Sequence, residues 1–210
     1  MSDMAKPIRI MTVDDHPALR DGIAAIVELQ PDMLLVGEAS NGAEAIKAFA
    51  ELRPDVTLMD LQMPGMGGLD AIVAIRKAAR NAHVIVLTTY DGDVQAARAL
   101  KAGASAYLLK SSLRKELLDT IRSVHAGRRH IPPQIAQEIA LHAADEPLSA
   151  REVAVLHLVA NGKANKQIAW QLSITEDTVK AHMKSIFGKL EVGDRTHAVT
   201  AALRRGIIDL

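Results

Sequence analysis

Five short apolar runs, each followed by about a dozen residues with helical spacing, dominate the first 126 residues and restrict the fold more than any other feature. The runs are Ile8 to Val13, Met33 to Ala39, Val56 to Met59, His83 to Thr88 and Ala106 to Leu109. Alternation of such runs with helical patterns predicts β-α units wound around a parallel sheet. The intervening stretches carry helix start signals. Asn41 with Glu44 three residues later is a capping-box arrangement ahead of Ala45, Ile46, Ala48 and Phe49.

The pattern stops near Ala126, where Gly127, Arg128, Arg129 and the Pro132-Pro133 pair interrupt it. A short helix over about 135–143, followed by Asp145, Glu146 and Pro147, fits a tether. After Pro147 only helical periods remain. Ser149 with Glu152 forms a second capping box, opening a helix that carries Val153, Leu156 and Val159 and stops at Asn161 and Gly162. A helix over Ala164 to Leu172, a turn at Ser173 and Ile174, a helix from the N-cap Thr175 to Leu190, and a last helix over about 194–207 complete the chain. The expected organisation is therefore 1–126, a linker 127–147, and a four-helix unit 148–210.

The 25 Lys plus Arg cancel the 25 Asp plus Glu, which excludes an overall basic coat protein and an acidic disordered chain. The balance hides a division: residues 1–146 hold 16 basic and 19 acidic groups, residues 147–210 hold 9 and 6. Two Phe, two Tyr and one Trp leave little for base-stacking platforms, and the absence of Cys removes disulfides, thiolate zinc sites and cysteine nucleophiles. No apolar run approaches the ~20 residues a bilayer requires, so no membrane partner and a cytoplasmic location are expected.

In a doubly wound sheet, ligands gather beyond the carboxyl ends of the strands, where strand order reverses. Four of the five runs end on chemistry there: the first at Asp14 and Asp15, the third at Asp60, the fourth at Thr88, the fifth at Lys110. With strand order 2-1-3-4-5 the first and third strands are neighbours and three carboxylates converge. A hard divalent cation relieves such repulsion, and Mg²⁺ accepts two or three protein oxygens with waters and a phosphoryl oxygen completing its shell. An Asp facing Mg²⁺, with an ammonium and a hydroxyl nearby, has what a phosphoryl-accepting nucleophile requires. The bland alternative for any single acid is a helix cap or a solvated loop.

Residues 8–126 resemble the receiver domain of bacterial two-component response regulators, a flavodoxin-like α/β fold. The matching stretches are Val13-Asp14-Asp15-His16-Pro17, Leu58-Met59-Asp60-Leu61-Gln62-Met63-Pro64, Leu87-Thr88-Thr89 and Tyr107-Leu108-Leu109-Lys110. The resemblance implies that Asp60 accepts phosphate from a sensor histidine kinase. It also implies that Asp14, Asp15, Asp60 and the Gln62 backbone carbonyl hold Mg²⁺, and that Lys110, Thr88 and Tyr107 serve the chemistry and the switch. Two departures are Gly67, where an acid is common, and Ser111 after Lys110 in place of Pro. The first is expected to affect the cap of the following helix and leave the chemistry intact.

In the C-terminal unit, Val179, Met183, Ile186 and Leu190 form one helical stripe, which places Lys180 and Lys184 together on another face. Like charges four apart weaken a helix by a few tenths of a kcal/mol, and a DNA backbone or guanine edge would relieve them. Residues 148–207 resemble the LuxR-type helix-turn-helix in Leu148-Ser149-Ala150-Arg151-Glu152, Asn165-Lys166-Gln167-Ile168-Ala169, Thr178-Val179-Lys180-Ala181-His182 and Lys189-Leu190. Receiver plus this unit is the arrangement of NarL/FixJ-type regulators. The likeness implies that Lys180, Ala181 and Lys184 face the major groove of promoter DNA while Lys166, Thr178 and His182 contact phosphates. It further implies a phosphorylation-driven homodimer through the last helix, with RNA polymerase as a further partner. Ala198, Ala201 and Ala202 there fit either a dimer face or packing within the unit. Trp170 is expected to pack between helices, with a place near the DNA backbone as the lesser alternative.

The resulting expectation is a transcriptional switch and not an enzyme. A turnover phosphatase using Asp60 needs an acid or base beside it, and none is evident in the sequence. A ligand-sensing LuxR-type regulator needs a roomy apolar pocket in place of the acidic cluster.

Overall fold

The computed structural model describes residues 6–89 and 92–208, so the ends of the expected 1–126 and 148–210 units lie partly outside the described residues. The chain divides into two compact units, one of residues 1–89 and 97–133, the other of residues 90–96 and 134–210.

The first unit is a five-stranded parallel sheet with order 2-1-3-4-5. Its strands are β1 (Ile8–Val13), β2 (Met33–Ala39), β3 (Val56–Asp60), β4 (His83–Thr88) and β5 (Ala106–Leu109). They alternate with α1 (Pro17–Glu28), α2 (Gly42–Leu52), α3 (Gly68–Ala78), α4 (Asp93–Ala102) and α5 (Leu113–His125). Ile8, Ile10, Val56, Leu58, Ile85, Leu87 and Leu108 point to one face and pack with Ile23 and Val27 of α1 and Leu117 and Ile121 of α5. The alternate residues Met11, Val13, Met59, Val84 and Val86 are also fully buried, along with Ala45 of α2 and Ile72 and Ile75 of α3. Burial on both faces is why the strands read as continuous apolar runs.

β3 ends one residue later than expected, at Asp60, which still pairs in register with Leu87. Asn41 caps α2 through Glu44 N–H as expected, but the Glu44 carboxylate turns to the N–H and hydroxyl of Ser40 instead of Asn41. Gly67 occupies the N-cap of α3 without any side-chain bond. Beyond α5, His130 lies against the free edge of β5: Tyr107 N–H donates to the His130 carbonyl, and His130 N–H donates to the Ser105 carbonyl.

In the second unit, α6 (Pro133–Leu141) starts two residues before the expected position, with proline in the first turn, where its missing N–H costs nothing. The four expected helices follow: α7 (Ala150–Ala160), α8 (Asn165–Leu172), α9 (Glu176–Lys189) and α10 (Arg195–Arg204). The Ser149–Glu152 capping box is formed. α10 is shorter than expected because Asp194 is its N-cap and Gly206, with φ of 66°, ends the helical path. Val155, Leu156, Ile168, Val179, Ile186, Ala198 and Ala202 form the core.

One expectation is corrected here, and one pair of alternatives is narrowed. Trp170 is 82% exposed and does not pack between helices, because α8 turns Ile168 and Ala169 inward. Of the three alanines on α10, Ala198 and Ala202 are spent on the internal core, and Ala201 alone is half-buried.

Candidate phosphoacceptor site and nucleic-acid interface

The parallel winding delivers the C-terminal ends of β1, β3, β4 and β5 to one edge of the sheet. Asp14, one residue past β1, is fully buried, and Asp60 is 3% exposed. Lys110, which opens a short 3₁₀ turn after β5, places Nζ 2.7 Å from Asp14 Oδ2 and 2.8 Å from Asp60 Oδ2. The Gln62 N–H donates to Asp60 Oδ1 at 3.2 Å. Thr88 closes β4 beside Leu87, the register partner of Asp60, and is almost wholly buried. Tyr107 lies on β5 opposite Val86 with its ring fully enclosed.

Burial, and secondarily the charge of Asp14, push the Asp60 carboxyl above its ordinary value, against the lowering effect of Lys110 and the Gln62 N–H. Burial opposes charge on Lys110, but Asp14 and Asp60 outweigh it and hold the ammonium above its usual value. The site therefore keeps a cation in place and leaves Asp60 a more basic carboxylate than a solvated one.

His16, part of the first matching stretch, has no role assigned from the sequence alone. Its ring Nδ1 stands 2.9 Å from Asp15 Oδ1 and 3.3 Å from Asp14 Oδ1, and its backbone N–H donates to Asp14 Oδ1. This corrects the expectation that no acid or base for turnover lies beside Asp60, since ligand atoms of Asp14, Asp15, His16 and Asp60 lie within 4.8 Å of one another. The signal was present in Asp15-His16, two neighbours on the loop that leaves β1.

The donor set fits a hard divalent cation. Asp14 Oδ2 and Asp15 Oδ1 are buried, and each meets a single side-chain nitrogen, Lys110 Nζ at 2.7 Å and His16 Nδ1 at 2.9 Å, which leaves lone pairs over. Buried carboxylate oxygens with unused lone pairs are what Mg²⁺ takes up.

Backbone geometry also fixes Asp60. A Cβ on Gly68, the first residue of α3, would sit 1.8 Å from the Asp60 carbonyl oxygen, so only glycine lets α3 start this close to the strand tip. A motif of side chains gives no hint of that constraint.

In the second unit, α8 ends at Ser173 in the left-handed region (φ 53°), and Thr175 caps α9 by accepting from Thr178 N–H. Val179, Met183 and Ile186 face inward, leaving Lys180, Ala181 and Lys184 exposed. The Thr178 hydroxyl is 2.8 Å from that of Thr175, Lys166 is exposed and His182 is half-buried. Lys180 forms an exposed pair with Asp177 at 2.8 Å, a contact that a phosphate can displace at little cost. Lys180 and Lys184 border an open concavity with Asn165, Met183, Phe187 and Arg195. Arg195 donates to Asn165 Oδ1 and to the Lys163 carbonyl; Arg195 was not singled out from the sequence, and Asn165 only as part of a matching stretch.

Residues 10–122 match the family model of the response regulator receiver domain, and residues 146–202 match that of the bacterial regulatory proteins of the luxR family. The chain is a response regulator of the NarL/FixJ family. This regulator is 40% identical to the transcriptional regulatory protein LiaR of Bacillus subtilis (strain 168) over 210 residues, covering 96% of this chain and 100% of LiaR. It is 39% identical to the nitrate/nitrite response regulator protein NarP of Escherichia coli (strain K12) over 208 residues, with 96% and 97% covered. Among solved structures, RcsB of Salmonella enterica serovar Typhimurium, bound to a promoter in the presence of the phosphomimetic BeF₃⁻, superposes with a TM-score of 0.71. It is 25% identical, with 93% of this chain and 98% of that one covered. The regulator thus pairs a receiver with a LuxR-type DNA-binding domain, and its relatives regulate transcription.

Proposed function

We propose that this regulator is a phosphorylation-switched transcription factor whose receiver takes a phosphoryl group from a sensor histidine kinase onto Asp60. The observation that carries the reading is the Lys110 ammonium held between two buried carboxylates, Asp14 and Asp60, at the edge where a ligand would dock. In the reaction an Asp60 carboxylate oxygen forms the new bond to phosphorus, while the bond from phosphorus to the donor's imidazole nitrogen breaks and that nitrogen takes up a proton. Lys110 stays beside the incoming phosphoryl oxygens and offsets their charge. Mg²⁺ held by Asp14, Asp15, Asp60 and the Gln62 carbonyl would supply the remaining charge neutralisation. Thr88 offers its hydroxyl to a phosphoryl oxygen, and with Tyr107 it biases an equilibrium that both states already populate.

The boundaries we assign are a receiver over 1–126, a linker over 127–147 and a DNA-binding unit over 148–210. Lys180, Ala181 and Lys184 read the major groove and Lys166, Thr178 and His182 meet phosphates, on a helix-turn-helix whose second helix is free of internal packing on that side. Phosphorylation favours a homodimer on promoter DNA, with RNA polymerase engaged there. The protein works in the cytoplasm, consistent with the absence of any helix, among the described residues, long and apolar enough to cross a membrane. His16 reopens the turnover reading, but its ring is engaged by Asp15 and Asp14, so we assign phosphate retention and not hydrolysis to the site.

Incubation with Mg²⁺ and acetyl phosphate followed by intact-mass measurement tests the proposal. A single added phosphoryl group, absent in Asp60→Asn, is expected. Rapid multiple turnover of the donor, or an unchanged adduct in Asp60→Asn, would overturn it.

A further inference from the structure

Four arginines converge at the end of the receiver unit opposite Asp60, around a cavity of ≈ 210 Å³ near the starts of β4 and β5. Arg76 and Arg80 come from the end of α3 and the residues just after it, Arg128 and Arg129 from the segment after α5, and Asn81, His83 and Ser105 supply further polar groups. No Asp or Glu lines the cavity. Arg76 is fixed by donating to the Ala82 carbonyl at 3.0 Å, and Arg128 by donating to Ser123 Oγ at 3.1 Å. Among the described residues, Arg80 and Arg129 have no ion-pair or hydrogen-bond partner, and both are exposed.

The ordinary reading is that arginines near helix ends complement the negative C-terminal dipoles, here those of α3 and α5. Each such end amounts to about half an elementary charge, so two offset about one of the four guanidinium charges. Asp55 is the one carboxylate whose charge acts to raise the His83 proton affinity, and it is outweighed: burial, then His125 and Arg76, leave the His83 imidazole below its usual value. The cavity is a positive site, and among the described residues no carboxylate lines it to answer the remaining charge. Guanidinium forks match the oxygen pairs of phosphate groups, and a volume below the ~300 Å³ of the smallest drug-sized pockets suits a phosphate chain better than a whole nucleotide.

We propose that this cavity binds the diphosphate group of a small anion, either inorganic pyrophosphate or a nucleotide whose base and sugar lie outside it. Arg128 and Arg129 directly precede His130, whose backbone pairs with Ser105 and Tyr107 at the β5 edge. An anion held by both arginines and by α3 therefore pins this segment to the sheet next to Tyr107.

Titration calorimetry of the full chain with pyrophosphate, in EDTA and ~150 mM salt to screen diffuse charge, tests the site. Arg80→Ala/Arg129→Ala is the probe variant and Lys180→Ala/Lys184→Ala the control. One saturable site is expected, weakened about tenfold or more in the first variant and unchanged in the second. ADP binding tighter than pyrophosphate assigns the site to a nucleotide; equal or weaker binding assigns it to the inorganic anion. The wild-type protein alone supplies a second readout, in which pyrophosphate shifts the His83 and His125 imidazole NMR signals and slows hydrogen exchange of the His130 amide. No saturable binding, equal loss in both variants, or shifts confined to other histidines would overturn the proposal.

Discussion

Replacing Glu152 by Gln tests how the recognition helix is held. Glu152, in the first turn of α7, accepts from Ser185 Oγ at 2.6 Å and from the Ser149 N–H at 2.7 Å, and meets Lys189 Nζ at 3.1 Å. Ser185 and Lys189 both belong to α9, so one carboxylate ties the second half of that helix to α7. Burial alone would raise the Glu152 carboxyl; the bonds from Ser185, Ser149 and Lys189 overcome this and lower it from 4.5 to about 2. At about 1.36 kcal/mol per unit this sets a ceiling of about 3.4 kcal/mol. Lys189 also pairs with the exposed Glu146, so solvent and a competing charge reduce the figure to about 1–2 kcal/mol. Because the folded value lies below the unfolded one, the contribution is complete above pH 4.5 and is lost as the pH falls toward 2. Urea unfolding, followed by hydrogen exchange of α7 and α9, should show Gln less stable by about 1–2 kcal/mol at pH 7 and by less than half of that at pH 3. A difference that stays constant over this range, or none at pH 7, would refute the electrostatic account.

Gly68→Ala forces a Cβ against the Asp60 carbonyl, a 1.8 Å contact that only movement of the strand tip or of α3 relieves. Phosphorylation by acetyl phosphate should slow by about tenfold or more in a protein that still folds. Gly188→Ala is the contrasting case, with nothing within 4 Å of the added Cβ near the end of α9, and should stabilise the DNA-binding unit by about 0.5–1 kcal/mol by urea unfolding. Asp60→Asn removes a charge that burial and Asp14 disfavour, so in EDTA at pH 7 the receiver should melt a few degrees higher. The folded value of Asp60 is raised, so that gain should vanish as the pH falls through it.

The order of elements and the acidic edge were legible because they depend on residue type repeated at fixed spacing. Asp14 and Asp60 stand at the ends of the adjacent strands β1 and β3, Lys110 follows β5 beyond the intervening β4, and parallel winding delivers all three to one edge of the sheet. What the sequence concealed depends on proximity without a pattern. His16 needed the path of one loop, Gly68 the approach of a helix to a carbonyl, and Arg195 a bond from α10 to α8. Trp170 misled because a lone large aromatic is usually buried, whereas the rotation of α8 is set by Ile168 and Ala169. The arginine cavity draws on α3 and on residues 127–129, some fifty positions apart, and no linear motif joins them.

The central claim is that phosphate on Asp60 governs DNA binding, and fluorescence anisotropy tests it most directly. Genomic duplexes selected with acetyl-phosphate-treated protein are titrated with treated and untreated wild type and with treated Asp60→Asn. The account predicts affinity at least about tenfold higher for treated wild type than for the other two, through dimer formation on paired half-sites. Equal affinity in all three would contradict it.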